Sequence, residues 1–299
     1  MEATGIFLQH LSVEGGRPSS DKLQRKLYVA IRKGDLEKVK CTLNSFKSER
    51  DLNCVRSYGK TPLQVAADLK DVPVRNDMIR TLLSGGVDLE IALLHAVHEG
   101  SVKTVEILLQ FHEKQHQVSA RASYSSGCSE SKGYTTPLVL AAWMQNFQIV
   151  KLLLEHGFTV GCPKNPQWPS DSNGMASEKL GAAVCRLNGF RALASPVYIG
   201  ASFLQDVHSG LDPIHRACVL NKELCSMAEQ EYEFKKEYLE LSDGCKEFAV
   251  ALLNECRSME EIRWVMEMKK EEGMLCNVKG FTMLEFAIAT RNEKVTRTC

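Results

Sequence analysis

The side chains able to carry chemistry are few, and their spacing does not favour it. His95 and His98 stand three apart, which on a helix lets two imidazoles share one metal ion. No carboxylate or cysteine pattern nearby completes a ligand set, and structural zinc needs four close ligands. His95 is expected to face a neighbouring helix, and His98 a turn and solvent. His208 and His215 flank a helix start and read as capping or surface residues. Cys218 and Cys225 lie seven apart, two helical turns, where they act as small hydrophobes in a stripe. Asp21, Asp51, Asp88 and Asp212 sit where turns or caps are expected, not as a catalytic pair. The sequence contains no G-x-G-x-x-G after a strand, no G-x-x-x-x-G-K-[ST], no C-x-x-C and no H-E-x-x-H. The expectation is no catalytic residue, no cofactor and no metal: not an enzyme.

The three tryptophans do not form a stacking platform. Trp143 follows an Ala pair and is expected to pack between helical units. Trp168 lies between prolines and can dock its loop. Trp264 follows a capped helix start and faces either a helix-bundle core or another subunit.

Composition narrows the remaining classes. The chain has 299 residues, with 37 Lys+Arg against 37 Asp+Glu, and zero net charge argues against nucleic acid as the main partner. The balance is uneven along the chain. Nine basic and three acidic residues fall between Lys22 and Arg50, three basic and seven acidic between Lys222 and Asp243. Eleven cysteines, an odd number, sit in helical-looking segments such as VKCTL and LLNEC, so reduced thiols in a cytosolic compartment are expected. The start, MEATGIFLQHLSVEGG, lacks the basic and apolar regions of a leader. The longest weakly polar stretch, Ala192 to Leu204, contains Pro196 and falls short of the roughly 20 residues a bilayer span needs.

The elements that hold these residues come from a repeat. Four segments align on the small residue of a first helix, at Ala30, Ala66, Ala96 and Ala141. Val39, Val105 and Val150 follow nine residues later, and Leu43, Leu109 and Leu154 four after that. Each unit reads as a pair of short antiparallel helices that cannot bury its apolar stripe alone, so that stacking makes one core. Thr61-Pro62 and Thr136-Pro137 mark helix starts, the hydroxyl accepting an orphan N–H and the proline costing no hydrogen bond. Gly34 and Gly100 stand where the first helix turns back, and Gln145 holds that place in the fourth unit. Gly85-Gly86 and Gly157 follow second helices as C-terminal caps.

TPLxxAA followed by a turn and xxIVKLLLxxG resembles the ankyrin-repeat motif, and the fourth unit, TTPLVLAAWMQNFQIVKLLLEHG, carries it almost whole. The second unit has about four extra residues in KDVPVRND. Residues 110–135 form an insertion rich in Ser, Gly and Gln, long for a compact domain. From Gly161 the stretch GCPKNPQWPSDSNG reads as a loop. Short helices follow: Ser177 to Leu193, a short apolar piece over Tyr198 to Phe203, and one opened by Asp212-Pro213. Another contains Tyr232 and Leu239, a separate one starts at Ser242-Asp243, and one capped by Ser258 with Glu261 stops at Gly273. GFTMLEFAIAT from Gly280 echoes the second repeat and reads as a docking helix or a degenerate repeat. The expected fold is all-α, an ankyrin solenoid of four helix pairs followed by a multi-helix linker domain. The parts are a flexible N-terminus at 1–21, repeats at 22–160, a Pro/Gly/Ser loop at 161–175 and linker helices at 176–299.

The second half resembles the linker-helix region of transient receptor potential cation channels of the C subfamily. The resemblance rests on RALASP (191–196), DPI (212–214) and EFKKEYLELSDGCKEFAVALL (233–253). It implies the cytosolic assembly and regulatory part of a receptor-operated, non-selective, Ca²⁺-permeable channel, in a homo- or heterotetramer with other channel subunits and with cytosolic regulatory proteins as further partners. It places the chain on the cytoplasmic side of the plasma membrane. Members of the family carry a Cys/His cluster after the fourth repeat. This chain offers Cys162, with His156 upstream and Cys185 downstream, so no metal is expected there. Without spans or pore, the chain is expected to conduct no ion itself and to be a fragment or pore-less variant. The alternative is a free-standing cytoplasmic ankyrin adaptor for a soluble protein.

Overall fold

A computed structural model describes residues 18–46, 52, 59–116, 136–161, 163, 176–205 and 212–267. Two compact units emerge, residues 1–123 and 124–299.

Among its described residues the first unit holds three helix hairpins: α1 (Pro18–Lys33) with α2 (Leu36–Leu43), α3 (Pro62–Ala67) with α4 (Val72–Ser84), and α5 (Leu89–His98) with α6 (Val102–His116). First helices contact first helices and second contact second, α1 on α3 on α5 and α2 on α4, the side-by-side stacking that lets each pair complete the next pair's core. Ala30, Ala66 and Ala96 are buried at the seam, as are Val39, Val105, Leu43 and Leu109. In the second hairpin the extra residues displace the second helix by about one turn, so the buried valine position is filled by Ile79.

Caps fix the hairpin ends. Thr61 Oγ1 accepts from the Gln64 N–H while Gln64 returns a bond to the Thr61 N–H, a full capping box. Asp35, Asp71 and Asp88 accept from the N–H groups two or three residues on. The turn position four residues after the alanine adopts positive φ at Gly34 (69°), Gly100 (69°) and Gln145 (55°). That conformation suits glycine and strains a glutamine. Polar ties then run from hairpin to hairpin. Tyr28 Oη donates to the Lys60 carbonyl at 2.6 Å, and Gln64 Nε2 donates to Glu99 Oε2 at 3.0 Å.

The second unit begins with the fourth hairpin, α7 (Pro137–Trp143) and α8 (Phe147–Glu155), capped by Thr136 and Asn146. It continues with α9 (Ala176–Leu193), α10 (Pro196–Gln205), α11 (Pro213–Gln230), a single 3₁₀ turn (Tyr232–Phe234), α12 (Lys235–Asn254) and α13 (Met259–Glu267). Helix α9 lies on α7 and α10 on α8, so the linker helices close the apolar side of the last hairpin. Ser195 Oγ donates to the Ala142 carbonyl at 3.0 Å and Gln205 Nε2 to the Leu154 carbonyl at 2.6 Å. Beyond this closure, α9 to α12 form their own core around Leu187, Phe190, Ile199, Leu224, Tyr238 and Leu253.

Two expectations are corrected. Ser242-Asp243 does not start a helix: α12 runs unbroken through them for 20 residues. Ser242 is fully buried and donates to Asn221 Oδ1 at 2.6 Å across the α11–α12 hairpin. Its hydroxyl is satisfied there, which removes the pull toward capping. Asp21 lies inside α1, three residues past its start at Pro18, and is not a cap. Asp88 and Asp212 do cap helices, Asp212 Oδ1 accepting from the Ile214 and His215 N–H groups. Trp168, Cys162, His208, Asp51, Gly273, most of the 110–135 insertion and the Gly280 segment lie outside the described residues.

Candidate interaction surfaces

His95 is buried on α5, and its Nε2 has no hydrogen-bond partner among the described residues. Burial, with the nearby His98 as a second cause, lowers its pKa and keeps the ring neutral. It occupies the register position held by Val65 and Leu140, both buried, so it substitutes for an aliphatic core residue. His98 is half-buried and His215 sits in the first turn of α11. His156 Nδ1 lies 2.8 Å from the Leu152 carbonyl, a helix-end contact. Cys185, Cys218 and Cys245 are buried, and burial pushes the Cys245 thiol up to about 12, out of reach of thiolate chemistry. Among the described residues no group of three His, Cys, Asp or Glu is placed to hold a metal, and no helix is long and apolar enough to cross a membrane.

What the second unit does assemble is a set of packed helices with polar anchors between them. Arg186 on α9, Glu231 after α11 and Tyr238 on α12 form one cluster. Arg186 Nε donates to Glu231 Oε1 at 2.6 Å, and Tyr238 Oη donates to Oε2 at 2.8 Å. The Phe190 ring meets the Tyr238 ring edge-on at 5.9 Å. Burial, then the hydrogen bond to Glu231, raises the Tyr238 phenol far above its ordinary range. Three helices are thereby pinned at one carboxylate. No sequence signal pointed to this cluster, because Arg186 and Glu231 are far apart in the chain. A second set, Asn221, Ser242 and Cys225, fixes the register of α11 against α12.

The exposed residues define what a partner meets. On α1, Lys22, Arg25, Lys26, Arg32 and Lys33 are all exposed, interrupted by Val29 at 49%. On α13, Trp264 is 66% exposed and Met259 61%, so Trp264 faces out of the bundle core. Ser258 Oγ accepts from the Glu261 N–H, while Glu261 returns its carboxylate to the Arg257 N–H, one residue before the expected partner. Trp143 is half-buried, with the Arg191 guanidinium 5.7 Å above its ring. The two side chains form one wall of a cleft of about 270 Å³ that Ser195, Pro196, Glu240 and Leu241 also line.

Comparison with known proteins gives this scaffold a lineage. Residues 74–164 match the family described as ankyrin repeats (3 copies), and residues 172–235 the family described as transient receptor ion channel II. Over 246 residues the chain is 32% identical to the transient receptor potential-gamma protein of Drosophila melanogaster, covering 80% of this chain and 21% of that protein. It is 32% identical over 274 residues to short transient receptor potential channel 4 of Homo sapiens, covering 89% and 27% respectively. To short transient receptor potential channel 3 of Homo sapiens it is 27% identical over 258 residues, covering 81% and 27%. The chain thus spans about a fifth to a quarter of the length of these relatives.

Proposed function

Because this chain belongs to the transient receptor potential channel family, we propose that it is the cytosolic assembly and regulatory region of a receptor-operated, non-selective, Ca²⁺-permeable cation channel. In this reading residues 22–160 are the repeats, 161–175 a connecting loop and 176–299 the linker helices. Its partners are other channel subunits, as a homo- or heterotetramer, and cytosolic regulators, and it works on the cytoplasmic side of the plasma membrane. Catalytic, cofactor and metal sites have no part in it.

The observation that supports the reading best is the closure of the last ankyrin hairpin by α9 and α10. It joins the fourth hairpin and the helices of the transient receptor ion channel II segment within one compact unit, with buried polar anchors inside it. Such a body suits holding partners in register. Repeats supply an extended surface and the linker helices a stiff support.

Co-expression with full-length short transient receptor potential channel 4, followed by affinity capture, tests it. Recovery of the channel well above that seen with an unrelated ankyrin domain is the expected result. Recovery no better than that control removes the channel reading and leaves a cytoplasmic ankyrin adaptor.

A further inference from the structure

The connection between α11 and α12 is unusual in what it displays. It is the single 3₁₀ turn Tyr232–Phe234, and its first residue holds a tyrosine ring out into solvent at 83% exposure. A large amphipathic ring so placed contributes nothing to the core. Its neighbours in the turn do: Phe234 packs against the α9–α12 core, and Glu231 is engaged by Arg186 and Tyr238. The turn is thus held from both sides while the phenol stays clear. Around it the sequence reads Glu229-Gln230-Glu231-Tyr232-Glu233, with Glu229 and Glu233 exposed. Acid on both sides of an accessible tyrosine is the charge pattern that a cationic substrate cleft selects.

We propose that Tyr232 is a phosphoacceptor for a protein tyrosine kinase that favours acidic substrates, with ATP as the phosphoryl donor. The phenol oxygen attacks the γ-phosphorus. The bond from that phosphorus to the β,γ-bridging oxygen breaks, and ADP leaves with the electron pair. The phenolic proton passes to the kinase's carboxylate base. The same turn supplies the consequence. Lys235 Nζ already lies 5.9 Å from the Tyr232 ring centroid, and Lys236 is exposed one residue on. The N-cap of helix α12, Phe234, makes no side-chain cap hydrogen bond, and two lysines in its first turn, beside the single acid Glu237, oppose the helix dipole. A phosphate on Tyr232 brings about two negative charges to that end, pairing the lysines and stabilising the first turn. This inference stands apart from the channel reading, since it rests on one turn of this chain and not on its partners.

The test uses the full chain, a purified non-receptor tyrosine kinase domain and MgATP, read by site-resolved mass spectrometry. Tyr232 is expected to take up phosphate to near one per chain, and Tyr232→Phe to abolish that site. The paired reversal Glu229→Lys and Glu233→Lys, both surface changes, is expected to slow labelling of Tyr232 by on the order of tenfold. A Tyr232 left unlabelled, or labelled equally fast after the reversal, overturns the proposal. Hydrogen exchange then reads the consequence. The amides of 235–238 are expected to exchange several-fold more slowly in the phosphorylated chain and to lose that protection in Lys235→Gln, Lys236→Gln. Unchanged or faster exchange overturns the stabilising role.

Discussion

Replacing Tyr238 by phenylalanine isolates one hydrogen bond in the anchor that joins α9, α11 and α12. The Tyr238 side chain is wholly buried, so phenylalanine keeps the ring, its edge-on contact with Phe190 and nearly all the volume. What disappears is the hydroxyl donating to Glu231 Oε2 at 2.8 Å. Glu231 keeps Arg186 at 2.6 Å on its other oxygen, so the charge remains paired and the penalty for an isolated buried ion does not arise. The loss is that of a bond to a charged acceptor, about 2 kcal/mol. Because the chain holds two compact units, a single melting curve would blend them. Hydrogen exchange of the α12 amides around Cys245 to Leu253 is the suitable assay. Under conditions where exchange reports the opening equilibrium, the amides should exchange roughly thirtyfold faster, while those of α1 to α6 stay unchanged. Glu231→Gln should do more damage, since it leaves Arg186 without its counter-charge in a mostly dry site. If Tyr238→Phe leaves α12 protection within about 0.5 kcal/mol of the parent, the hydroxyl is not spending its proton on a buried carboxylate, and the picture of a three-helix anchor is wrong.

Two further changes probe the repeats. Burial holds the His95 pKa below its ordinary 6.5, so the unfolded chain takes up this proton first and stability falls as pH drops through and below that value. His95→Leu, matching Leu140 at the same register, should raise the stability of the first unit, read by hydrogen exchange of the α5 and α6 amides, most at about pH 5 and flatten its slope between about pH 5 and 7; identical slopes in the two proteins would refute the assignment. Gln145→Gly relieves a left-handed backbone at φ 55° and should stabilise the fourth hairpin by roughly 0.5 kcal/mol, the strain removed exceeding the flexibility added to the unfolded chain. A loss of stability in chemical denaturation would show that the 3.5 Å contact of Ser195 Oγ with the Gln145 side chain outweighs the strain.

The repeats were legible because their signals are local and periodic. The alanine and valine registers, the Thr-Pro starts and the turn position at Gly34, Gly100 and Gln145 each depend on a few neighbours along the chain. Asp35, Asp71 and Asn146 carry the same kind of local cap signal, each accepting from the N–H three residues on. The misreading at Ser242 has the opposite cause. Serine and aspartate together do favour a helix start, but a distant Asn221 satisfies the serine and the helix continues. The Arg186–Glu231–Tyr238 anchor is long-range in the same sense: three residues on three helices have no period to reveal them. Trp264 shows the limit for surfaces. Its sequence position left core and surface open, and only packing decides that the indole is outside.

The way α9 and α10 lie across the fourth hairpin has a mechanical consequence. With the Ser195 hydroxyl on the Ala142 carbonyl, the Gln205 amide on the Leu154 carbonyl and the Arg191 guanidinium on the Trp143 ring, a push on the linker helices is resisted at the joint by contacts on both helices of the hairpin. The hairpin is carried along with them. Whatever load reaches α9 or α10 therefore arrives at residues 137–155 as a displacement of the whole block, in the manner of a lever with a welded elbow.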